Sequence, residues 1–383
     1  MKRLCSLYYM VLTLFGALNI KRVLGFMFGV LASLWMAAPA AAWGNLNDSS
    51  EPGSVLVFPK FIRGTFNDFG LSGQLVHAVT ELEISVTCPN GSSCATSGQV
   101  VNLMARWVCP GCSESSFALQ TTVGGTLYFN PEGVTVLLGL ITANAFPSNV
   151  TTTIPVPPCQ RGYLIVWVVD GNGNPIKFDG LIGDAVIRSI PVVTFPSWPH
   201  AGRAYSAIPI QADAALNTGD FTAADTNGAL AFDGSGSHYQ EVTGRIFGTV
   251  RYENAVLPEA NVQTELTLLT LDATLNLLNP TTTVGLDFYT PNEEVVDTST
   301  SFACWEEKRL TNINATLTTQ RMGRKGLVTS TSAQQQLDFF TTVPVTLLGI
   351  VETMEFDLDG FEARDYSYLL YNDSNPVPTT FVP

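Results

Sequence analysis

The chain has 383 residues, 19 basic and 33 acidic side chains for a formal charge of −14, and only 14% charged residues, against roughly 25% in an ordinary soluble domain. An acidic chain without a basic stripe lacks the electrostatic footprint of a nucleic-acid binder. Hydrophobic residues at 46% and aromatics at 10% exclude a disordered chain, which has too few apolar side chains to offset the entropy of ordering.

Residues 1–42 read as an export signal. Lys2 and Arg3 open the chain, and a second basic pair, Lys21-Arg22, precedes the apolar run Val23–Met36. Pro39 and Ala40-Ala41-Ala42 then stand just before Trp43, which is the order of basic, apolar and small-residue regions in a cleaved leader. Neither apolar run of this segment reaches the ~20 residues of a membrane-spanning helix. No later run does so, and no membrane span is expected in the mature chain. Cleavage after Ala42 removes four basic and no acidic residues, leaving 15 against 33 and a net −18. The expected location is therefore periplasmic, cell-surface or extracellular.

Period-two patterning begins soon after. Ser54–Phe58 reads as a strand, and Leu82, Ile84 and Val86 alternate with Glu81, Glu83 and Ser85. Val101, Leu103, Ala105 and Trp107 alternate with Asn102, Met104 and Arg106; both segments have the pattern of half-buried strands. Phe117–Thr122 and Thr126–Phe129 follow. Tyr163–Val169 is apolar on both faces, as a central strand should be. Asp170-Gly171-Asn172-Gly173-Asn174 then turns the chain toward a strand at Leu181–Ile190, with an interruption expected at Gly183-Asp184.

The segment 212–240 is small, polar and acidic and reads as a linker or long loop. Strands resume at Val242–Tyr252, Gln263–Leu271, Val284–Tyr289, Phe302–Glu306, Ala315–Thr319 and Val343–Glu355. Short helices are expected near Ala204–Leu216 and Gly360–Tyr371. Thr80-Glu81-Leu82-Glu83-Ile84 in the first half resembles Thr264-Glu265-Leu266-Thr267-Leu268 in the second. Short strands with Gly, Pro and Asn punctuation predict an all-β fold of two antiparallel β-sandwich domains, 43–211 and 241–383.

Six cysteines follow the leader: Cys88, Cys94, Cys109, Cys112, Cys159 and Cys304. An even number in an exported chain predicts disulfides. Cys88 and Cys94 bracket the turn-rich Pro89–Ser93 and are the first pair expected. Cys159 is expected to join Cys109 or Cys112, which leaves Cys304 as a buried thiol or a tie between the halves. Cys109-Pro110-Gly111-Cys112 has C-x-x-C spacing. A zinc site would need a second such pair, and a redox motif would need a helix after its strand.

The run of segments Thr80–Val86, Val101–Cys109, Gly125–Phe129, Gly162–Asp170 and Leu181–Ala185 resembles bacterial exported β-sandwich proteins that carry a signal peptide and have no assigned activity. The resemblance covers roughly residues 54–190 and rests on strand and turn patterns. It implies an envelope or extracellular location and carries over no catalytic residue.

The catalytic constellations are largely missing. His77, His200 and His238 form no H-E-x-x-H, no G-x-S-x-G elbow occurs, and Gly234-Ser235-Gly236-Ser237-His238 reads as a polar loop. Asp170, Asn172 and Asn174 place oxygens at alternating positions and form a weak calcium candidate. However, the sixth and twelfth positions are Pro175 and Leu181, where an EF-hand needs Gly and Glu. Glycoside hydrolysis needs two carboxylates facing each other across a cleft, and Asp170, Asp179, Asp184, Glu293-Glu294 and Glu306-Glu307 are the acids that strand ends could bring together. The basic group Lys308, Arg309, Arg321, Arg324 and Lys325 reads as a solvated patch beside Glu306 and Glu307. Trp107 and Trp167 lie in apolar strands and read as core, while Trp198, in a Pro-rich connection, is the candidate ligand contact. The expectation is an exported, non-enzymatic structural or binding component of the envelope or matrix, with a protein or glycan partner and no resident cofactor. The alternative is a secreted carboxylate-dependent hydrolase acting on glycans.

Overall fold

The computed structural model describes residues 51–67, 75–88, 99–133, 135–136, 154–191, 201–212, 230–232, 238–253, 261–271, 281–336, 342–356, 362–368, 370–371, 376–377 and 379–381. The leader reading, Cys94, Trp198, His200 and most of 212–240 lie outside them. Residues Asn45–Pro383 form one compact unit.

The described elements are almost all antiparallel strands. In the first half they are β1 (Val55–Asn67), β2 (Leu75–Val86), β3 (Val100–Val108), β4 (Glu114–Thr122), β5 (Thr126–Phe129), β6 (Thr135–Val136), β7 (Arg161–Val169), β8 (Leu181–Pro191), β9 (Ala201–Ser206) and β10 (Ile208–Ile210). They run in the order β4-β3-β7-β1-β2-β5-β6, with β10 also on β1 and β8 joining β2 to β9. The long β1 serves two ladders. Its first part pairs β7 and β10, and Arg63–Asn67 pairs β2.

The second half contributes β11 (Leu230–Phe232), β12 (Val242–Thr243), β13 (Ile246–Arg251), β14 (Asn261–Leu269), β15 (Thr282–Tyr289), β16 (Val295–Phe302) and β17 (Trp305–Arg309). Two single-turn helices, α1 (Leu310–Ile313) and α2 (Thr319–Met322), precede β18 (Lys325–Gln336), β19 (Thr342–Pro344), β20 (Leu348–Phe356) and β21 (Glu362–Tyr368). β22 (Leu370–Tyr371), β23 (Pro376–Val377) and β24 (Thr379–Phe381) close the chain. A six-stranded sheet has the order β16-β15-β18-β13-β22 with β19 on β18, and a four-stranded sheet has the order β17-β14-β20-β21.

Side-chain period explains the layering, because successive residues of a strand point to opposite faces. On β7, Leu164, Val166 and Val168 enter one apolar cluster with Leu82, Leu103, Trp107 and Phe129. The intervening Tyr163, Ile165, Trp167 and Val169 enter a second cluster. That second cluster also holds Leu266, Leu286, Phe288, Trp305 and Val328 from the second half. The two-faced apolarity of Tyr163–Val169 therefore reflects two cores, one on each side. The first cluster is anchored by Trp107, whose ring lies 4.8 Å from Phe61, 5.5 Å from Phe117 and 6.2 Å from Phe129.

Most predicted strands are present, with differences that have local causes. β8 runs through Gly183-Asp184 without a break, in register with β2 from Val76↔Pro191 to Val86↔Leu181. Over the described residues to 212, the helix expected near 204–216 is replaced by β9 and β10, because this segment completes the free edges of β8 and β1; pairing overrides a weak helix preference. β21 likewise stands where a helix was expected, paired along β20 from Ile350↔Tyr368 to Phe356↔Glu362. The strand expected at 315–319 is a turn. Asn314 Oδ1 accepts from Thr316 N at 2.9 Å and Thr316 Oγ1 at 2.8 Å, a local closure that competes with extended backbone. The ends of the 212–240 segment meet, with Ala212 bridged to Tyr239 and Gln240 N donating to Gln211 O at 2.9 Å.

Two disulfides are defined. Cys109 joins Cys159, within the first half as expected. Cys112 joins Cys304 across 192 residues and is the tie between the halves. Gly111 N donates to Ala303 O at 3.1 Å beside it. The two cysteines of the C-x-x-C segment thus go to different partners, which removes both the zinc and the redox readings of that spacing. Cys88 is also disulfide-bonded.

Candidate functional site

The described carboxylates that converge are Glu265 on β14, Glu307 on β17 and Glu352 on β20, each offering an oxygen within 4.8 Å of the others. Register puts them there. Glu265 is directly opposite Glu352, and Glu307 is opposite Thr267, two residues along β14. Residues two apart on one strand share a face, so all three acids leave the four-stranded sheet on the same side.

Lys60 on β1 enters this triangle through a bulge. Phe58 pairs Leu164 and Phe61 pairs Gly162, so Pro59 and Lys60 together oppose the single residue Tyr163. A bulge of this kind re-aims a side chain and leaves backbone groups outside the ladder. Two carbonyls here are taken up by side chains: Trp305 Nε1 donates to Pro59 O at 2.8 Å, and Tyr205 Oη donates to Lys60 O. Lys60 Nζ donates to Glu352 Oε2 at 2.5 Å and to Glu307 Oε1, and it lies 3.7 Å from Glu265 Oε2. Arg161 Nη1, at the start of β7, donates to Glu307 Oε2 at 2.6 Å.

The site excludes water. Side-chain exposure is 2% for Lys60, 7% for Glu265, 3% for Glu307 and 0% for Glu352. Burial penalises charge, and it pushes the Glu265 carboxyl up to about 8, helped by the neighbouring Glu307 charge and opposed by Lys60. Burial would raise Glu307 as well, but Lys60 and Arg161 override it and bring that carboxyl down to about 2. Two cations, Lys60 and Arg161, therefore face three acids, of which Glu265 keeps its proton up to about pH 8 and Glu307 stays ionised down to about pH 2. Three oxygens at this spacing are a donor set for a hard cation, but the Lys60 ammonium stands in that position.

The other sequence candidates are held apart from this cluster. Asp170 closes its own turn. Its Oδ1 accepts from Asn172 N at 2.8 Å and Asn174 N at 2.9 Å, and its Oδ2 accepts from Asn174 Nδ2 at 3.1 Å. Those bonds hold the Asp170 carboxyl below its ordinary value. Asp179 accepts from Ser54 Oγ at 2.6 Å and Ala212 N at 2.8 Å; Asp184 accepts from Ser206 Oγ at 2.8 Å. Glu306 pairs Lys308 at 2.8 Å. Glu307 is not part of a solvated patch, since it points into the protein while its neighbour points out. Trp107 and Trp167 are fully buried, as expected.

The sequence reading had Glu307 among its acids but missed Lys60, Glu265 and Glu352 as its partners. A signal existed: each is a charge set into an apolar or Thr-rich strand, in FPKFI, QTELTLL and GIVETME, in a chain with 14% charged residues. No protein-family model matches this chain, and no curated protein matches it.

Proposed function

We propose that the chain is an exported, non-enzymatic structural or binding component of the cell envelope or extracellular matrix, engaging a protein or glycan partner through strand edges and end loops. The observation that carries this reading is the fate of the convergent carboxylates. A glycan hydrolase presents its two acids across a substrate cleft, whereas Glu265, Glu307 and Glu352 are enclosed between strands and occupied by Lys60 and Arg161. The cluster serves cohesion between the halves. It is joined in that role by Cys112–Cys304 and by Tyr163 Oη, which donates to Thr270 O at 3.2 Å.

Two further observations support the reading. The disulfides suit an oxidising compartment, and no helix among the described residues is long and apolar enough to cross a membrane. β4 and β16 each have one ladder partner among the described residues, and an unpaired strand edge is a template for another chain. The test is fractionation of the producing cell followed by cross-linking and mass spectrometry. Recovery in the envelope or medium with a reproducible cross-linked partner is the expected result. Recovery in the cytoplasm alone overturns it.

A further inference from the structure

We propose that Lys60 and Glu352 are joined by an intramolecular amide bond, formed after folding by the buried cluster itself. Nζ stands 2.5 Å from Glu352 Oε2, so the amine lies against the carboxyl group it would attack. Holding two groups in contact replaces a bimolecular encounter by an intramolecular one, with effective concentrations on the order of 10⁵–10⁸ M in favourable cases. Burial favours neutral over charged forms. An ammonium–carboxylate pair sealed from water can therefore pass its proton across the contact to become amine and acid, the forms that condense.

The neighbours divide the remaining work. Glu307 is held by Arg161 at 2.6 Å. That contact keeps it ionised, which makes it a poor electrophile but a suitable anchor for Nζ and acceptor of its proton. Glu265 lies directly across the ladder from Glu352 and keeps its own proton. In the resting cluster that carboxyl hydrogen-bonds Glu307; its proton is the one available to the oxygen of Glu352 as negative charge develops there, and then to the departing hydroxyl. The Nζ–Cδ bond forms, one Cδ–O bond breaks, and one water leaves. An ammonium and a carboxylate are consumed together, so the net charge of the cluster does not change and no oxidant or cofactor is needed. Because the site is dry, the reverse hydrolysis lacks its reactant. The link would close a loop between positions 292 residues apart, a second covalent tie between the halves beside Cys112–Cys304.

Mass spectrometry of the reduced, fully denatured protein decides the matter, and its outcome is independent of where the protein resides. The expected wild-type mass is one water below that of its sequence, and Lys60→Arg carries the full mass. Trypsin should release a branched peptide joining the segment that ends at Arg63 to residues 326–364, which contain Glu352. A wild-type chain at full mass overturns the proposal whether or not any variant folds. A branch to residues 252–308, which contain Glu265 and Glu307, overturns the choice of acceptor. In Glu265→Gln the loss of water should be incomplete; a loss as complete as in the wild type removes Glu265 from the mechanism.

Discussion

The tripeptide Thr-Glu-Leu occurs at Thr80-Glu81-Leu82 on β2 and at Thr264-Glu265-Leu266 on β14, and the two glutamates have opposite fates. Glu81 lies on the outer face of its sheet and pairs Arg188 at 2.6 Å, the two side chains being 19% and 57% exposed. Glu265 is sealed beside Lys60, Glu307 and Glu352. In both strands the leucine faces an apolar cluster, so period two sends each glutamate to the opposite side. What differs is that β2 has solvent there, whereas β14 has the β1 strand of the other half. A second buried face changes a surface carboxylate into a constituent of the interior.

The largest expected effect is on the buried side of that comparison. Lys60→Met leaves three buried acids with Arg161 as their remaining cation and also removes the proposed link to Glu352; losing one partner of a buried pair alone typically destabilises by about 3–5 kcal/mol. Equilibrium denaturation should show this; a loss under about 1 kcal/mol would mean that water reaches the cluster. Replacing Cys112 and Cys304 together by Ser should destabilise by about 2–5 kcal/mol, measured in the same way. An unchanged midpoint would mean that the shared core alone holds the halves together.

A smaller effect is expected with pH, for the cluster with Lys60 as an ammonium. Glu265 is raised from 4.5 to about 8 in the fold, so its contribution is complete below about pH 4.5 and is lost as pH rises through 8. Glu307 is lowered from 4.5 to about 2, so its contribution is complete above that range and is lost as pH falls through 2. The two together place maximum stability in mildly acidic solution. Melting temperatures across pH should peak there, and Glu265→Gln should flatten the alkaline limb while leaving the acidic one. The smallest effect belongs to the surface pair: Arg188→Ala should change stability by less than about 1 kcal/mol, as exposed pairs do. A larger loss would mean that Glu81 is less solvated than its position suggests.

Much of the fold was legible because alternation survives in strands with one wet face. β3 reads directly as Val101, Leu103, Ala105 and Trp107 inward, all of them buried. β18 was illegible because its buried face includes Ser330 and Gln335, which carry no apolar signal, and because a register shift against β15 breaks its period of two. Ser330 earns its place by hydrogen bonding, its Oγ accepting from Ile246 N at 2.8 Å. The cluster was half legible. Glu307 stood among the candidate acids, but the lysine that meets it is 247 residues away, and its direction is set by a bulge at Pro59-Lys60 that no local pattern announces.

Side-chain period and cysteine chemistry are local properties of the chain, and they suffice to specify an antiparallel β protein with buried Trp107 and Trp167 and bonded cysteines. It takes the packed sheets to bring Cys112 to Cys304, to give β7 two cores and to stand Lys60 among three glutamates. These depend on which sheet covers which face, and that is settled by the collective burial of apolar surface and the register of strands far apart in the chain.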